Sequence, residues 1–156
     1  MVSIKEIVFD RIMWLSVIFI AVLGLCDYII MQVFYNVGYD MHSYYVLGFW
    51  IMAYTAIASF AIIYYLFTKN HFRSLLVFLA PMFMVLGGLE DFFFFVVRWV
   101  LTGIPIDSQM CWFNYPVALV SKLLNESCVT PISLFANVIL FFGVAYLIAI
   151  VLKRYE

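Results

Sequence analysis

Four uninterrupted apolar stretches restrict what this chain can fold into, and they cover residues 12–34, 45–67, 75–101 and 132–152. A helix of about 20 apolar residues crosses the roughly 30 Å hydrocarbon layer of a membrane, whereas a membrane strand needs only about 10 residues. Inside lipid a helix also satisfies its own backbone hydrogen bonds. The stretches therefore predict an all-α membrane protein, with four transmembrane helices in a single transmembrane domain over residues 1–156.

The composition supports a membrane environment and excludes one class of partner. Apolar residues make up 68% of the chain and charged residues 11%, whereas soluble domains average about 45–50% and about 25%. The net charge is −1. A nucleic-acid partner needs a surplus of basic side chains that neutralise phosphates, so we expect no nucleic-acid partner.

The positions of the Lys and Arg residues predict how the helices are oriented, because short cytoplasmic loops carry an excess of positive charge. One side of the predicted bundle holds Lys5, Arg11, Lys69, Arg73, Lys153 and Arg154, and the other side holds Arg98 and Lys122. With an even number of spans, this asymmetry predicts a multi-pass protein of the cell membrane. Both termini are expected to be cytoplasmic, and the 102–131 loop is expected to lie outside.

The 102–131 loop has a pattern of its own. Pro116 is suited to the first position of a short helix that ends at Leu124. Its apolar side chains, Val117, Val120, Leu123 and Leu124, are then expected on the membrane surface. Three aromatic residues, Trp112, Phe113 and Tyr115, suit the headgroup layer. The preferred interpretation is a loop that covers the bundle, and the alternative is a flap that gates the entry of a lipid from the outer leaflet.

The cysteines and one asparagine add two predictions for the 102–131 loop, which is named the outer loop after its expected side. Cys111 and Cys128 both lie in it, and disulfides persist outside the cell, so we expect these two cysteines to pair. Cys26 lies inside the first helix, where a thiol behaves as a small apolar residue. Asn125 begins an Asn-Glu-Ser triplet, the acceptor pattern for N-glycosylation.

Ionisable residues inside a membrane are energetically expensive and often functional, and three carboxyl groups fall within the predicted helices. At 1.5 Å per residue, Asp27 lies about 24 Å from Arg11, and Glu90 and Asp91 lie about 25–27 Å from Arg73. The three carboxyl groups are therefore expected at a shared depth. We interpret the adjacent pair Glu90 and Asp91 as functional, because packing has no use for two neighbouring acids.

The other two helices place neutral polar residues at a similar depth. Tyr54 and Thr55 lie about 21–23 Å from Lys69, and Asn137 lies about 24 Å from Lys153. These three residues are candidates for substrate binding, although hydrogen bonding between helices explains them adequately. Arg98 follows Asp91 on nearly the same helix face, about 10 Å further along, and the two side chains can bracket a polar group.

No motif points to a cofactor or a metal. The sequence contains no Gly-rich phosphate loop, and His42 and His71 fall in predicted loops on opposite sides of the membrane. Two histidines on opposite sides cannot share a metal ion. We therefore expect neither a cofactor nor a metal site.

One local resemblance involves the two adjacent acids. The segment Gly87-Gly88-Leu89-Glu90-Asp91-Phe92-Phe93-Phe94-Phe95 resembles the membrane motif of the small prokaryotic lycopene cyclase domain proteins, in which Pro-x-Glu-(Glu/Asp) leads into aromatics. Gly88 stands where that family has proline, and the likeness covers fewer than about twenty residues. The stretch from Gly103 to Trp112 is also similar to small prokaryotic membrane proteins of unassigned function.

This resemblance implies catalysis by Glu90 and Asp91, and the depth that Asp27 shares with them makes it the third catalytic candidate. One carboxyl of a buried pair tends to keep its proton, so that it can protonate an alkene while an ionised neighbour later removes a proton. The rings of Phe92, Phe94, Phe95 and Trp99 can stabilise a carbocation, although such rings more often face lipid or the core.

The sequence leaves three hypotheses about function. The first is an intramembrane acid–base enzyme, of the cyclase or isomerase kind, that acts on an apolar membrane lipid or isoprenoid. The second is a proton- or cation-coupled transporter, which needs a homo-oligomer because four helices rarely enclose a pathway; Thr55-x-x-x-Ser59 offers a contact for one. The third is a non-catalytic subunit or assembly factor of a larger membrane complex.

Overall fold

Six helices make up the regular structure of the residues that the structure describes. The structure, a computed structural model, describes residues 11–37, 42–107, 110–111 and 116–155, without the side chains of residues 34–47. The helices are α1 (Arg11–Val37), α2 (His42–Thr68), α3 (His71–Leu86), α4 (Leu89–Thr102), α5 (Leu119–Leu123) and α6 (Pro131–Arg154). The described residues contain no strand beyond one isolated antiparallel bridge between Met110 and Val129.

Three of these helices, α1, α2 and α6, are each long and apolar enough to cross a membrane. A fourth span is present if α3 and α4 together count as one. Helices α1, α2 and α6 begin and end within a few residues of the predicted stretches 12–34, 45–67 and 132–152. Large apolar side chains remain exposed along them, among them Leu15, Phe67 and Ile132. Such surfaces fit a multi-pass membrane protein.

The third predicted helix is not continuous, and here the prediction was wrong. Instead of one helix over residues 75–101, α3 and α4 meet at an angle of 59° across a break at Gly87 and Gly88. Gly88 has φ +84°, a left-handed conformation that glycine adopts without steric strain. Pro81 lies inside α3, and that helix continues beyond it.

Local signals explain where the helices begin and end. The Asn70 side chain caps α3 by accepting a hydrogen bond from the backbone N–H of Arg73 at 2.9 Å. Thr130 and Ser133 form a reciprocal capping box at the start of α6, where proline occupies the first turn. Gly103, with φ +70°, ends α4.

Helix α3 lies at the centre of the bundle. It packs against α1, α2 and α6, while α4 packs mainly against α1. The largest group of buried side chains surrounds α3, with Ile20, Leu76, Met84 and Val138 among its members. A second, smaller core joins α4, the outer loop and the beginning of α6; it consists of Phe95, Met110, Val117, Ala118, Val129 and Leu134.

The outer loop packs onto the bundle through this second core. Cys111 and Cys128 are paired at disulfide distance, with their Cα atoms 4.3 Å apart, and the neighbouring Met110–Val129 bridge is closed by N–H···O bonds of 2.8 and 3.2 Å. A helix is present at Leu119–Leu123, inside the range predicted for one, and its location on a membrane surface stays a prediction. Val117 is buried rather than turned outward. Trp112, Phe113 and Tyr115 lie outside the described residues.

Candidate functional site

A close contact between α1 and α4 positions the site. A Cβ atom on Gly24 of α1 would lie 2.8 Å from the carbonyl oxygen of Glu90 and 2.9 Å from Cβ of Phe93. Because real Cβ atoms essentially never come so close to other atoms, only glycine fits at this point of α1. Asp27 follows Gly24 by about one helical turn, so the same contact brings its carboxyl group to the beginning of α4.

The three intramembrane carboxyl groups meet at this contact. The side chains of Asp27 and Glu90 share a hydrogen bond, and Asp91 interacts electrostatically with both of them. Ionised carboxylates only accept hydrogen bonds, so a bond between two carboxyl groups requires one proton between them. Glu90 is 2% exposed. The arrangement therefore holds an exchangeable proton inside the bundle.

The break between α3 and α4 gives two of these acids a special position. Glu90 and Asp91 lie in the first turn of α4, two and three residues after Gly88. The backbone N–H groups and the dipole at a helix N-terminus favour negative charge. A continuous helix would place the same acids in mid-helix without this stabilisation. The break thus lets negative charge be held in an apolar region.

Asn137 of α6 forms hydrogen bonds to the backbone at the break. It is fully buried, and its Nδ2 donates to the carbonyl oxygens of Gly87 at 3.0 Å and Pro116 at 3.3 Å. The carbonyl of Gly87 follows the last turn of α3, where helical partners run out. Asn137 therefore joins α6, the helix break and the outer loop, which agrees with its interpretation as a hydrogen-bonding residue between helices.

The outer loop covers the break directly. A Cβ on Gly88 would lie 3.0 Å from Val117 of the loop, 3.0 Å from Leu134 of α6 and 3.7 Å from Oδ2 of Asp91. A Cβ on the neighbouring Gly87 would overlap the Phe141 side chain of α6. The side of the site nearest Asp91 is therefore lined by apolar groups from the loop and α6.

Three buried acceptor oxygens around the break have no hydrogen-bond partner among the described residues: Oε1 of Glu90, Oδ2 of Asp91 and Oδ1 of Asn137. Leaving such a group unsatisfied costs about 1–3 kcal/mol. The Asn137 amide is oriented by its two carbonyl partners, because a flipped amide would set its oxygen against both of them. Three acceptors around one break mark this place as polar and under-satisfied.

The aromatic candidates differ in where they lie. Phe94 packs edge-to-face on Tyr28 with ring centroids 5.7 Å apart, and on Phe95 at 5.4 Å. Tyr28 is buried and directly follows Asp27. Phe92 contacts Phe135 of α6 at 6.0 Å. Trp99 is exposed near the end of α4, whereas the Phe94–Tyr28 contact joins α4 to α1 close in the chain to Glu90 and Asp27.

The remaining candidates lie in other surroundings. Arg98 forms a two-point ion pair with Asp107 of the outer loop, with N···O distances of 3.2 and 3.4 Å, so its guanidinium is engaged there. Tyr54 is partly buried and stacks on Trp50 at 5.6 Å, whereas Thr55 is exposed on α2. Asn125 is exposed with φ +61°. Of the polar residues predicted at a shared depth, those on α1, α4 and α6 thus lie around the helix break. Thr55 on α2 is exposed instead.

Sequence reasoning missed two residues of the site. Gly24 looked like one more small residue in an apolar run, and Tyr28 like an ordinary membrane aromatic. The usable signal was their spacing around Asp27, because Gly24-x-x-Asp27 places a close helix approach one turn before an acid.

Comparison with known proteins leaves the site to be interpreted from its own geometry. No protein-family model, curated protein or solved structure matches the chain. Among the residues that the structure describes, no group of three or more His, Cys, Asp and Glu side chains is arranged to hold a metal ion.

Proposed function

We propose that the chain is an intramembrane acid–base enzyme that isomerises or cyclises an apolar lipid or isoprenoid. The observation that carries this proposal is the hydrogen bond between the buried carboxyl groups of Asp27 and Glu90, with Asp91 beside them. The pair contains both an acid, which is the protonated carboxyl, and a base, which is its partner. The local resemblance to the lycopene cyclase domain motif supports the same chemistry.

The reaction needs neither an oxidant nor a cofactor. The shared proton is transferred to one carbon of a C=C bond, whose π electrons form the new C–H bond and leave a carbocation on the other carbon. Attack by a second double bond closes a ring, or loss of a proton from a neighbouring carbon shifts the double bond. An ionised carboxyl of the cluster takes that proton, so the acid is regenerated.

The surroundings of the cluster suit such an intermediate. The rings of Phe94 and Tyr28 join α4 to α1 within about one helical turn of the acids along the chain, and ring faces attract cations. Burial keeps water away from the carbocation, and the N-terminus of α4 stabilises whichever carboxylate is ionised.

Conservative substitutions test this function. Glu90→Gln and Asp91→Asn keep size and hydrogen bonding but cannot donate a catalytic proton, so each should abolish turnover of isoprenoids supplied in liposomes. Asp27→Asn should weaken turnover less. Asp107→Asn is the matched control, because Asp107 pairs with Arg98 outside the cluster, and it should retain activity. Full activity in Glu90→Gln would contradict the proposal.

One observation favours a second function. Transporters also place their binding sites at broken membrane helices, and carboxyl groups inside a membrane can relay protons. Proton uptake by sealed liposomes that contain the protein, driven by an imposed gradient and absent in Glu90→Gln, would favour transport. Conversion of an added isoprenoid without any gradient would favour the enzyme.

We also propose an orientation, with both termini cytoplasmic, the outer loop outside and the protein in the cell membrane. Stacking of Phe72 on Tyr155, with ring centroids 6.2 Å apart, puts the beginning of α3 and the end of α6 at the same end of the bundle. Arg73, Lys153 and Arg154 therefore share that end, which is expected to be cytoplasmic. N-glycosylation of Asn125 stays a prediction that depends on the opposite end being outside.

A further inference from the structure

The three unsatisfied acceptors define what kind of ligand the site is built to hold. Asp91 Oδ2 and Asn137 Oδ1 come from different helices, and both lie around the Gly87–Gly88 break. Asn137 is bonded to the Gly87 carbonyl, and Asp91 Oδ2 is 3.7 Å from the Cβ position of Gly88. The third acceptor, Oε1, belongs to Glu90, whose side chain is hydrogen-bonded to Asp27 of α1. A ligand without a hydrogen-bond donor, such as a pure hydrocarbon, would leave all three unsatisfied.

The surroundings favour a neutral donor over a charged one. Val117 and Leu134 are apolar, buried and in contact range of Gly88, and burying an ammonium group there would cost far more than burying a hydroxyl group. A hydroxyl group both donates and accepts one hydrogen bond. It can therefore donate its hydrogen to Oδ2 of Asp91, with Oδ1 of Asn137 as a second acceptor.

We propose that the substrate is an isoprenoid alcohol, whose hydroxyl group binds between Asp91 and Asn137 beneath the outer loop. Its unsaturated chain then extends along α4 towards Phe94 and Tyr28. This assignment rests on the proposed function and narrows its substrate class from apolar lipids in general to those that end in a hydroxyl group. Asn137 becomes a binding residue as well as a link between helices.

Binding measurements test the assignment separately from catalysis. Full-length Glu90→Gln protein in mild detergent cannot turn the ligand over, and it is titrated with geranylgeraniol and with its methyl ether, which keeps the chain and the oxygen but has no donor. The alcohol should bind roughly tenfold tighter, the ratio that about 1.4 kcal/mol corresponds to. Geranylgeranylamine, which is charged, should bind less tightly than the alcohol.

Variants locate the hydroxyl group. Asp91→Leu is close in shape and apolar, and it should reduce the preference for the alcohol over the ether to about twofold or less, as the loss of one hydrogen bond requires. Asp107→Asn, outside the cluster, should keep the full preference. If Asp91→Leu does not fold, the comparison of alcohol and ether on the Glu90→Gln protein still tests whether the site recognises a hydroxyl group.

The outcomes distinguish this inference from the proposed function. Equal affinity for the alcohol and the ether would overturn the substrate class while leaving acid–base catalysis standing. Tighter binding of the amine would also overturn it, because the acceptors would then form an ammonium site. A preference for the alcohol in the Glu90→Gln protein, together with native protein that never converts it, would support the binding site and contradict the proposed enzyme.

Discussion

The carboxyl groups of Asp27 on α1 and Glu90 on α4 share a hydrogen bond inside the bundle, although the whole of α2 and α3 separates them in the chain. Two features of the backbone make the contact possible. Gly24 lets α1 approach the first turn of α4, and the break at Gly88 starts a new helix just before Glu90. Substitutions at Gly24 and Gly88 test these two features.

The first prediction concerns the contact at Gly24. Gly24→Ala places a Cβ against the backbone of Glu90, and should lower stability by about 1–3 kcal/mol, the usual range for overpacking. Gly48→Ala is the control, because a Cβ at this position of α2 has nothing within 4 Å. Thermal unfolding in mild detergent should show a lower Tm for Gly24→Ala alone. Equal Tm values for the two variants would argue against close helix contact at this position.

The second prediction concerns the break itself. Gly88 and Gly103 both have positive φ, so alanine at either position should cost about 1–2 kcal/mol of backbone strain. Only at Gly88 would the new Cβ also meet Val117 and Leu134, whereas at Gly103 it meets nothing within 4 Å. Gly88→Ala should therefore lower the Tm more than Gly103→Ala does. A lower Tm for Gly103→Ala than for Gly88→Ala would contradict the close packing at Gly88.

The sequence predicted most of the fold because apolar length alone determines a membrane helix. Helices α1, α2 and α6 followed from that length. The break between α3 and α4 did not, since Gly87 and Gly88 also suit a close helix approach inside a continuous span. The overlooked signal was the acidic pair that begins two residues after Gly88, because acids are typical of the first turn of a new helix.

The candidate site was predictable only in part, for a related reason. Depth along the membrane suggested that Asp27, Glu90 and Asp91 share a layer, and the structure does bring them together. Depth does not determine which way a side chain points. Thr55, predicted at a similar depth, is exposed. The pairing of Arg98 with Asp107 also escaped prediction, because it depends on how the outer loop folds back onto α4.

The third prediction concerns the outer loop. If Cys111 and Cys128 are bonded in the native protein, alkylation without reduction should modify Cys26 and no other cysteine, as mass spectrometry of the purified chain can show. Reduction should then lower stability by about 3 kcal/mol, because the bridge restricts the unfolded chain. Modification of all three cysteines before reduction would show that Cys111 and Cys128 are not bonded. A Cys26→Ala protein, which should remain unmodified, is the control.

The fourth prediction separates a broken span from a re-entrant hairpin. Thr68 and Ile104 are both exposed and lie just before α3 and just after α4. In a Cys26→Ala background, cysteine at Thr68 should be protected from a membrane-impermeant thiol reagent in intact cells, and cysteine at Ile104 should react. Equal protection would mean that α3 and α4 return to the same side, so that the chain crosses the membrane three times.

The most direct measurement of acid–base catalysis is transfer of a solvent-derived proton to the lipid. Protein in liposomes is supplied with isoprenoid hydrocarbons and alcohols in D₂O, and the lipids are analysed by mass spectrometry. A carboxyl proton exchanges with solvent, so the native protein should give a product with the substrate's composition and one deuterium bound to carbon. The Glu90→Gln, Asp91→Asn double variant should give none while it keeps its Tm. Deuterium uptake by that double variant at the native rate would contradict the account.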